Sequence, residues 1–296
     1  MIRKLKYKEI DFAKYQECIK NSEQRKYSAE KHFLDVVAGE NWDVLVFGDY
    51  EAVMPIPYVK KIGIKYVVNP FLTQQLGIFS KKDDVHLNEK FLEFLNENYI
   101  VKYYTFNDTN SFKTFLKTRK NFLLEPDSYE IVRQRYSPKR KRKLRLNPGV
   151  IEFSAMRNDL KFEEVESFIS ENMIGIKKLK NKIFVLNNLK DFYHQNLIQF
   201  YGFFFKGELT NLIAIYQETY SSVLLGTYNI RELVKQNGAS NLIDFAIQEN
   251  VETKIFDFEG GDLTNMDEYF RGFRAEMKPY PIIQNSKKEL VKKIFF

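Results

Sequence analysis

The sequence predicts an α/β protein made of two similar units with mixed, largely antiparallel sheets. Three observations carry that expectation. The order helices, hairpin, strand, helix, strand occurs twice, once on each side of about residue 140. Each copy contains two alternating apolar runs joined at a tight-turn signal, Gly48-Asp49 in the first and Lys206-Gly207 in the second. At 296 residues and 44% hydrophobic, the chain has material for two ordinary packed cores. Sequence identity between the halves is negligible, so the repeat is one of pattern.

In the first half, residues 11–23 read as a helix with Phe12, Tyr15 and Ile19 on one side. A second helix over 28–37 is started by Ser28 and stopped by Gly39. The hairpin begins at Trp42, and a third strand follows the 60–63 turn at 64–68. An amphipathic helix over 85–96 turns Leu87, Phe91, Leu92 and Leu95 inward, and a strand returns at 99–106. A short helix over 111–119 and a strand over 129–133 complete this half. In the second half, helices are expected at 159–170 and 189–196, and the hairpin strands at 199–205 and 209–217. A strand at 222–228, a helix at 239–249, a strand at 255–258, a strand at 277–283 and a short tail from 286 follow.

Composition narrows the function. No apolar run approaches the roughly 20 residues of a membrane-spanning helix. The start, M-I-R-K-L-K-Y-K-E-I, lacks the apolar core of a signal peptide, which reads as a cytoplasmic chain. Cys18 is the single cysteine, so no internal disulfide or cysteine-based metal cluster is expected. His32, His86 and His194 show no ligand spacing, and no metal is expected. Net charge is +7, with 46 Lys and Arg against 39 Asp and Glu, which favours anionic partners such as CoA, RNA or a lipid headgroup. No G-x-S-x-G occurs, and no histidine adjoins a plausible nucleophile.

Much of the charge lies in one run, S-P-K-R-K-R-K-L-R, from Ser137. Ser137 is a good N-cap and Pro138 a good first helical residue, with Asn147-Pro148-Gly149 as the stop. Lys139, Arg142 and Lys143 take neighbouring positions while Leu144 anchors another face. Six like charges repel one another, so the run either meets phosphates or is a solvated linker touching acids elsewhere.

The chain is organised around a stretch near its C-terminal end, I-F-D-F-E-G-G-D-L-T-N-M-D-E-Y-F-R-G-F-R-A-E-M-K-P-Y, from Ile255 to Tyr280. A buried strand carries Asp257 in its middle and Glu259 at its end, before Gly260 and Gly261. A helix of about two turns follows from Asn265 and presents Tyr269, Phe270, Arg271 and Phe273. Residue types alone leave two readings, a site or a tight turn whose acids cap the next helix. Alternation puts Phe256 and Phe258 on one face, towards the core, and Asp257 and Glu259 on the other, towards Arg271. Glu259, at the open end, is the candidate to accept a proton; Asp257 is assigned to fixing the turn or Arg271.

This stretch resembles the closing motif of the FemAB-like branch of the GNAT acyl-CoA N-acyltransferase superfamily, as in its small bacterial two-domain members. There a D-F-x-G-S strand end precedes a helix with F-K-x-x-F-G-A and a strand with a tyrosine. The counterparts are Asp257-Phe258-Glu259-Gly260-Gly261, then Phe270-Arg271-Gly272-Phe273-Arg274-Ala275, then Tyr280. Arg271 replaces the usual lysine and Arg274 the usual glycine. The basic run is similar to the family's basic helix before its second domain, and the stretch from Trp42 to Ser80, with P-I-P and T-Q-Q-L-G, to its first-domain hairpin.

The resemblance implies two tandem GNAT-like domains. These would be a degenerate N-terminal domain over 1–136, a basic linker helix over 137–149, and a C-terminal domain over 150–296 bearing the active site. It implies a transferase moving an acyl group from an acyl-CoA or aminoacyl-tRNA donor to an amine. Arg271 would take the place of the lysine that stabilises developing negative charge. Lys235-Gln-Asn-Gly238-Ala239-Ser240 sits where the family has Q/R-x-x-G-x-G/A, a loop whose amides hold the CoA pyrophosphate at a helix start. The donor-binding candidates are therefore Lys235, Gly238, Ala239, Ser240 and Asn241, with Lys139, Arg142 and Lys143 from the basic run. A reading from another class is a catalytically inactive Fem-like module that binds RNA, a nucleotide or a lipid headgroup through the basic helix.

Overall fold

The structure is a computed structural model that describes residues 1–260 and 265–295. In chain order, the first copy of the pattern is β1 (Ile2–Lys6), α1 (Phe12–Lys20), α2 (Lys31–Ala38), β2 (Trp42–Phe47), β3 (Ala52–Lys61), β4 (Ile64–Val68), the short β5 (Phe79–Ser80), α3 (Val85–Asn98) and β6 (Ile100–Thr105). Then come β7 (Lys117–Leu124), α4 (Tyr129–Arg135), α5 (Pro138–Leu144) and α6 (Pro148–Ile151). The second copy is β8 (Ser154–Arg157), α7 (Phe162–Asn172), α8 (Leu179–His194), β9 (Ile198–Phe205), β10 (Glu208–Gln217), β11 (Ser221–Asn229), α9 (Gly238–Asn250) and β12 (Ile255–Asp257). The chain closes with α10 (Met266–Arg271), β13 (Glu276–Gln284) and α11 (Lys287–Phe295).

The two compact units are 1–120 with 279–296, and 121–278. In the first, β1, β2, β3 and β4 pair antiparallel in that order, β4 pairs parallel with β6, and β6 pairs antiparallel with Ile282–Gln284 of β13. In the second, β8, β9, β10 and β11 pair antiparallel in order, β11 pairs parallel with β12, and β12 pairs antiparallel with Leu123 and Leu124 of β7. The expected repeat of pattern is present, with β1 and β8 as further strands opening each copy and β5, paired with β3, found in the first alone among the described residues. Each sixth strand, however, comes from the chain that follows the other unit's fifth. For that reason the units do not break at 136 and 150, and α5 lies inside the second unit instead of linking two halves.

Several local expectations fail: the helix expected from Ser28 begins at Lys31, and the one expected over 189–196 begins at Leu179 and ends at His194. Residues 111–116 form a loop before β7, not a helix. Their amides have side-chain acceptors instead: Ser111 N donates to Asp83 Oδ2 at 3.0 Å and Thr114 N to Glu89 Oε1 at 2.8 Å. Residues 129–135 form a helix, not a strand, because Tyr129 and Val132, three apart, bury together while Ile131 stays 41% exposed. The expected C-terminal tail is the helix α11.

In the second unit the core gathers Phe122, Tyr201, Phe203, Ile213, Ile243 and Phe256 under α9. Phe258 and Phe270 stack with ring centroids 4.9 Å apart, and Phe258 and Phe273 at 5.6 Å, which fastens α10 to the end of β12. Phe256 and Phe258 are both buried, as their alternation predicts. Among the described residues, no helix is long and apolar enough to cross a membrane.

Candidate functional site

The parallel pairing of β11 with β12 covers only Ser221–Val223, and β11 runs on to Asn229. Beyond that pairing, β11, the first turn of α9 and α10 frame a cavity of about 240 Å³ whose lining includes Lys143, Thr227, Asn229, Ala239, Ser240 and Tyr269. A second, basic groove of about 470 Å³ lies between α5 and the segment from α10 to Arg274. Its walls carry Lys139, Arg140, Lys143, Arg271 and Arg274, with Glu268 as the acid. Lys143 and Tyr269 line both spaces. Among the described residues five cations face one carboxylate, which makes the groove an anion-seeking surface.

Helix α5 is set by its cap. Ser137 Oγ accepts from Arg140 N at 3.1 Å, and Ser137 N donates to Gly272 O at 3.0 Å, which moors the helix start beside α10. Helical periodicity then turns Arg140 and Leu144 inward and leaves Lys139 and Lys143 on the groove wall. Arg142 is exposed and outside that lining.

Arg140, 4% exposed, is the centre of the arrangement. Its Nη1 donates to Ser240 Oγ at 2.6 Å and its Nη2 to Tyr269 O at 2.8 Å. The guanidinium lies 4.1 Å from the Tyr269 ring centroid and 4.2 Å from that of Phe273. Burial holds its pKa below the usual arginine value, opposed by Tyr269. One turn along α9 from Ser240, the buried Asp244 accepts from Tyr129 Oη at 3.0 Å. Burial pushes its carboxyl above the usual carboxylate range. Arg140 thus ties α5, α9 and α10 together. Arg140 is not among the candidates Lys139, Arg142 and Lys143 that residue types suggest, although its spacing of four from the anchoring Leu144 places it on the inward face.

The first turn of α9 differs from a plain phosphate loop. Asn237 caps the helix in the left-handed region (φ 61°, ψ 19°) with no side-chain cap. Its carbonyl accepts from Ser240 N at 3.1 Å and Asn241 N at 3.2 Å, so these two amides are engaged; Ala239 lines the cavity, whereas Gly238 is buried and outside its described lining. Gly238 is demanded by packing: a Cβ there would lie 2.1 Å from Asn211 Oδ1 and 2.8 Å from Phe203 Cδ1. Asn211 is itself fixed by Asn229, 2.7 Å from Nδ2 to Oδ1. Lys235 is exposed on the 3-10 turn Arg231–Gln236 before the helix.

At the end of β12, Asp257 is 2% exposed and its Oδ1 accepts from Glu259 N at 3.0 Å. It closes the turn. Glu259 follows, half-buried, with φ at +41°, a left-handed conformation that costs a non-glycine residue about 1–2 kcal/mol. Gly261 lies outside the described residues. Arg271 pairs with Asp267 one turn earlier and lies over the Phe122 ring at 5.6 Å. Lys139 pairs with Glu268. The structure therefore brings Lys139, Lys143 and Arg271 to one groove, and Ala239 and Ser240 to the cavity that shares Lys143. Asp257 and Glu259 are not among the described lining of either space. Arg274, where the resemblance has glycine, sits at φ +60°, the conformation in which glycine is free of strain, and its Nε donates to Arg135 O at 3.2 Å.

No protein-family model and no curated protein sequence matches the chain. Solved structures do. The chain matches FemX with a TM-score of 0.64 over 99% of both chains at 8% identity. It matches a tandem GNAT protein from the clavulanic acid biosynthesis pathway with a TM-score of 0.55, over 95% of this chain and 97% of that one, also at 8% identity. The fold is the tandem GNAT-like one. A conserved protein of unknown function from Bacteroides thetaiotaomicron VPI-5482 shares it as well, at a TM-score of 0.56 and 7% identity over 96% and 100% of the two chains. The likeness to FemX agrees in fold with the resemblance carried by the closing stretch.

Proposed function

We propose that the chain transfers an acyl or aminoacyl group from a phosphate-bearing donor, an acyl-CoA or an aminoacyl-tRNA, to an amine. The observation that carries this reading is the meeting of two features at Lys143 and Tyr269: a helix start without a side-chain cap beside the part of β11 that runs past β12, and a groove whose described lining carries five cations. Donor phosphates go to Lys139, Lys143 and the start of α9 at Ala239, where helix dipole and side-chain charge act together. The acyl carbonyl enters the cavity along β11. The amine nitrogen attacks that carbon, its proton passes to a base, for which Glu259, outside the described lining of that cavity, is the sequence-derived candidate, and the oxyanion collapses to expel the CoA thiolate or the tRNA ribose oxygen. Arg271 offsets the negative charge that develops, and Asp257 holds the turn that presents Glu259.

The test is direct. Thermal shift of the purified protein against acetyl-CoA, longer acyl-CoAs and charged tRNA selects the donor class, and transfer from that donor to a panel of amines follows. Stabilisation by a donor with Glu259-dependent transfer supports the reading. Stabilisation by phosphates with no transfer to any amine leaves the binding-module reading, which the excess of groove cations also favours.

A further inference from the structure

The loop between α7 and α8 and the first turns of α8 expose an unusual set of side chains. Ile174 is 61% exposed, Leu179 70%, Ile183 48% and Phe184 39%. Leu179 and Ile183 lie four apart on one helical face, and Ile174 stands on the loop leading to them. The inward face of α8 is carried by other residues, Val185, Leu189 and Phe192 among them, so the exposed four are not that helix's core contacts. Four lysines, Lys177, Lys178, Lys180 and Lys182, interleave with them, against Glu171 alone over 171–184. The base is held in place: Lys182 Nζ donates to Ser170 O at 3.1 Å, and Met173 is buried. Across a shallow groove from this loop stands the 3-10 turn Arg231–Gln236, which adds Arg231, the 58% exposed Val234 and, as a second acid, Glu232. The same turn leads into α9, and Val234 lines the candidate donor cavity.

Large aliphatic tips surrounded by flexible lysines fit one kind of partner. An apolar patch alone would suit another protein, and a lysine cluster alone would suit any polyanion. Interleaved, they match an anionic bilayer surface: the aliphatic tips enter the boundary between headgroups and acyl chains while the ammonium groups stay at phosphate level. We propose that the face formed by Ile174, Leu179 and Ile183 with Lys177, Lys178 and Lys180 docks the protein onto anionic lipid bilayers. The inference is independent of the transfer chemistry. Docked this way, the chain would hold the turn that opens its candidate cavity beside the lipid surface.

The experiment is flotation of the full-length protein with vesicles of phosphatidylcholine alone or mixed with phosphatidylglycerol, with sizing measured in parallel. The protein is expected to float with the mixed vesicles and at least tenfold less with the neutral ones. Lys177→Glu with Lys178→Glu and Lys180→Glu should weaken binding by about a hundredfold, from the loss of surface attraction at each lysine. Ile174→Ser with Leu179→Ser and Ile183→Ser should weaken it at least tenfold while the far-UV circular dichroism stays that of the wild type. Absence of flotation with the mixed vesicles overturns the proposal. So does flotation that survives both triple variants, or that is lost only on Lys139→Glu with Lys143→Glu, which would assign it to the basic groove. A dimer that the serine variant dissolves would assign the patch to a second copy and overturn it equally.

Discussion

The two units place a helix at the same point of the same strand order, α3 after β4 and α9 after β11, yet the two helix starts are chemically opposite. In the first unit, Asp84 caps α3, its Oδ1 accepting from His86 N at 2.8 Å and Leu87 N at 3.3 Å. Asp83 beside it accepts from Asn88 Nδ2 at 2.7 Å and from Ser111 N at 3.0 Å. A carboxylate already fills the place where an anionic ligand would sit. In the second unit, Asn237 leaves the start of α9 without a side-chain cap, and Lys143 lines the space beside it. Topology supplies a helix start in both units; the capping residue decides whether it is available to a ligand.

The comparison can be broken at the second unit's chemistry first. Glu259→Gln should lower kcat for transfer about a hundredfold or more, the usual worth of a positioned general base, with an unchanged thermal midpoint. Asp257→Asn should mainly cost stability, since its carboxylate closes the turn. Wild-type turnover in Glu259→Gln would leave the chemistry to backbone donors.

Next comes the groove. Lys139→Glu with Lys143→Glu should weaken the donor at least tenfold by titration calorimetry and flatten the salt dependence of binding. Arg142→Glu, on the exposed side of α5, should change affinity less than threefold by the same measurement. Equal losses in both variants would mean that the run acts as diffuse charge and not through the groove.

The helix starts themselves can be exchanged in character. Asn237→Asp puts an acid at the open start and should weaken a phosphate-bearing donor several-fold, since the left-handed backbone tolerates aspartate. Asp84→Ala should cost about 1 kcal/mol in urea unfolding without creating phosphate binding in the first unit. Phosphate binding gained by that variant would show that the cap alone separates the units.

A smaller effect concerns pH. Burial raises the folded-state pKa of Asp244 above its unfolded value, so the folded state binds this proton more tightly. The cost of its ionisation is present at neutral pH and is relieved as pH falls through the raised pKa towards the ordinary carboxylate range. Urea unfolding should therefore show wild type gaining stability relative to Asp244→Asn on acidification from pH 7. Smallest is a local readout in the first unit: burial pushes the Cys18 thiol up to about 11. Its native-state reaction with a disulfide reagent at pH 8 should be at least tenfold slower than that of an unfolded control.

What the sequence determined by itself was local in origin. Turn chemistry at Gly48-Asp49 and Lys206-Gly207 specified the hairpins, Ser137 and Pro138 specified the start of α5, and alternation sent Phe256 and Phe258 inward. The repeat of pattern, and with it the tandem fold, followed from these signals because each is encoded within a few residues. Tertiary structure decided the rest. It gave each unit a sixth strand from beyond the other's fifth, since strand pairing ignores sequence distance once loops are closed. Acceptors from Asp83 and Glu89 held 111–116 as a loop in place of the expected helix. Which of six neighbouring cations point into the groove was likewise fixed by what α5 packs against: Ser240 and Tyr269 draw Arg140 inward, and Arg142 is left to water. Gly238 is needed because Asn211 and Phe203 occupy the space a side chain would take, a contact between residues far apart in the chain that no run of residue types near Gly238 reveals.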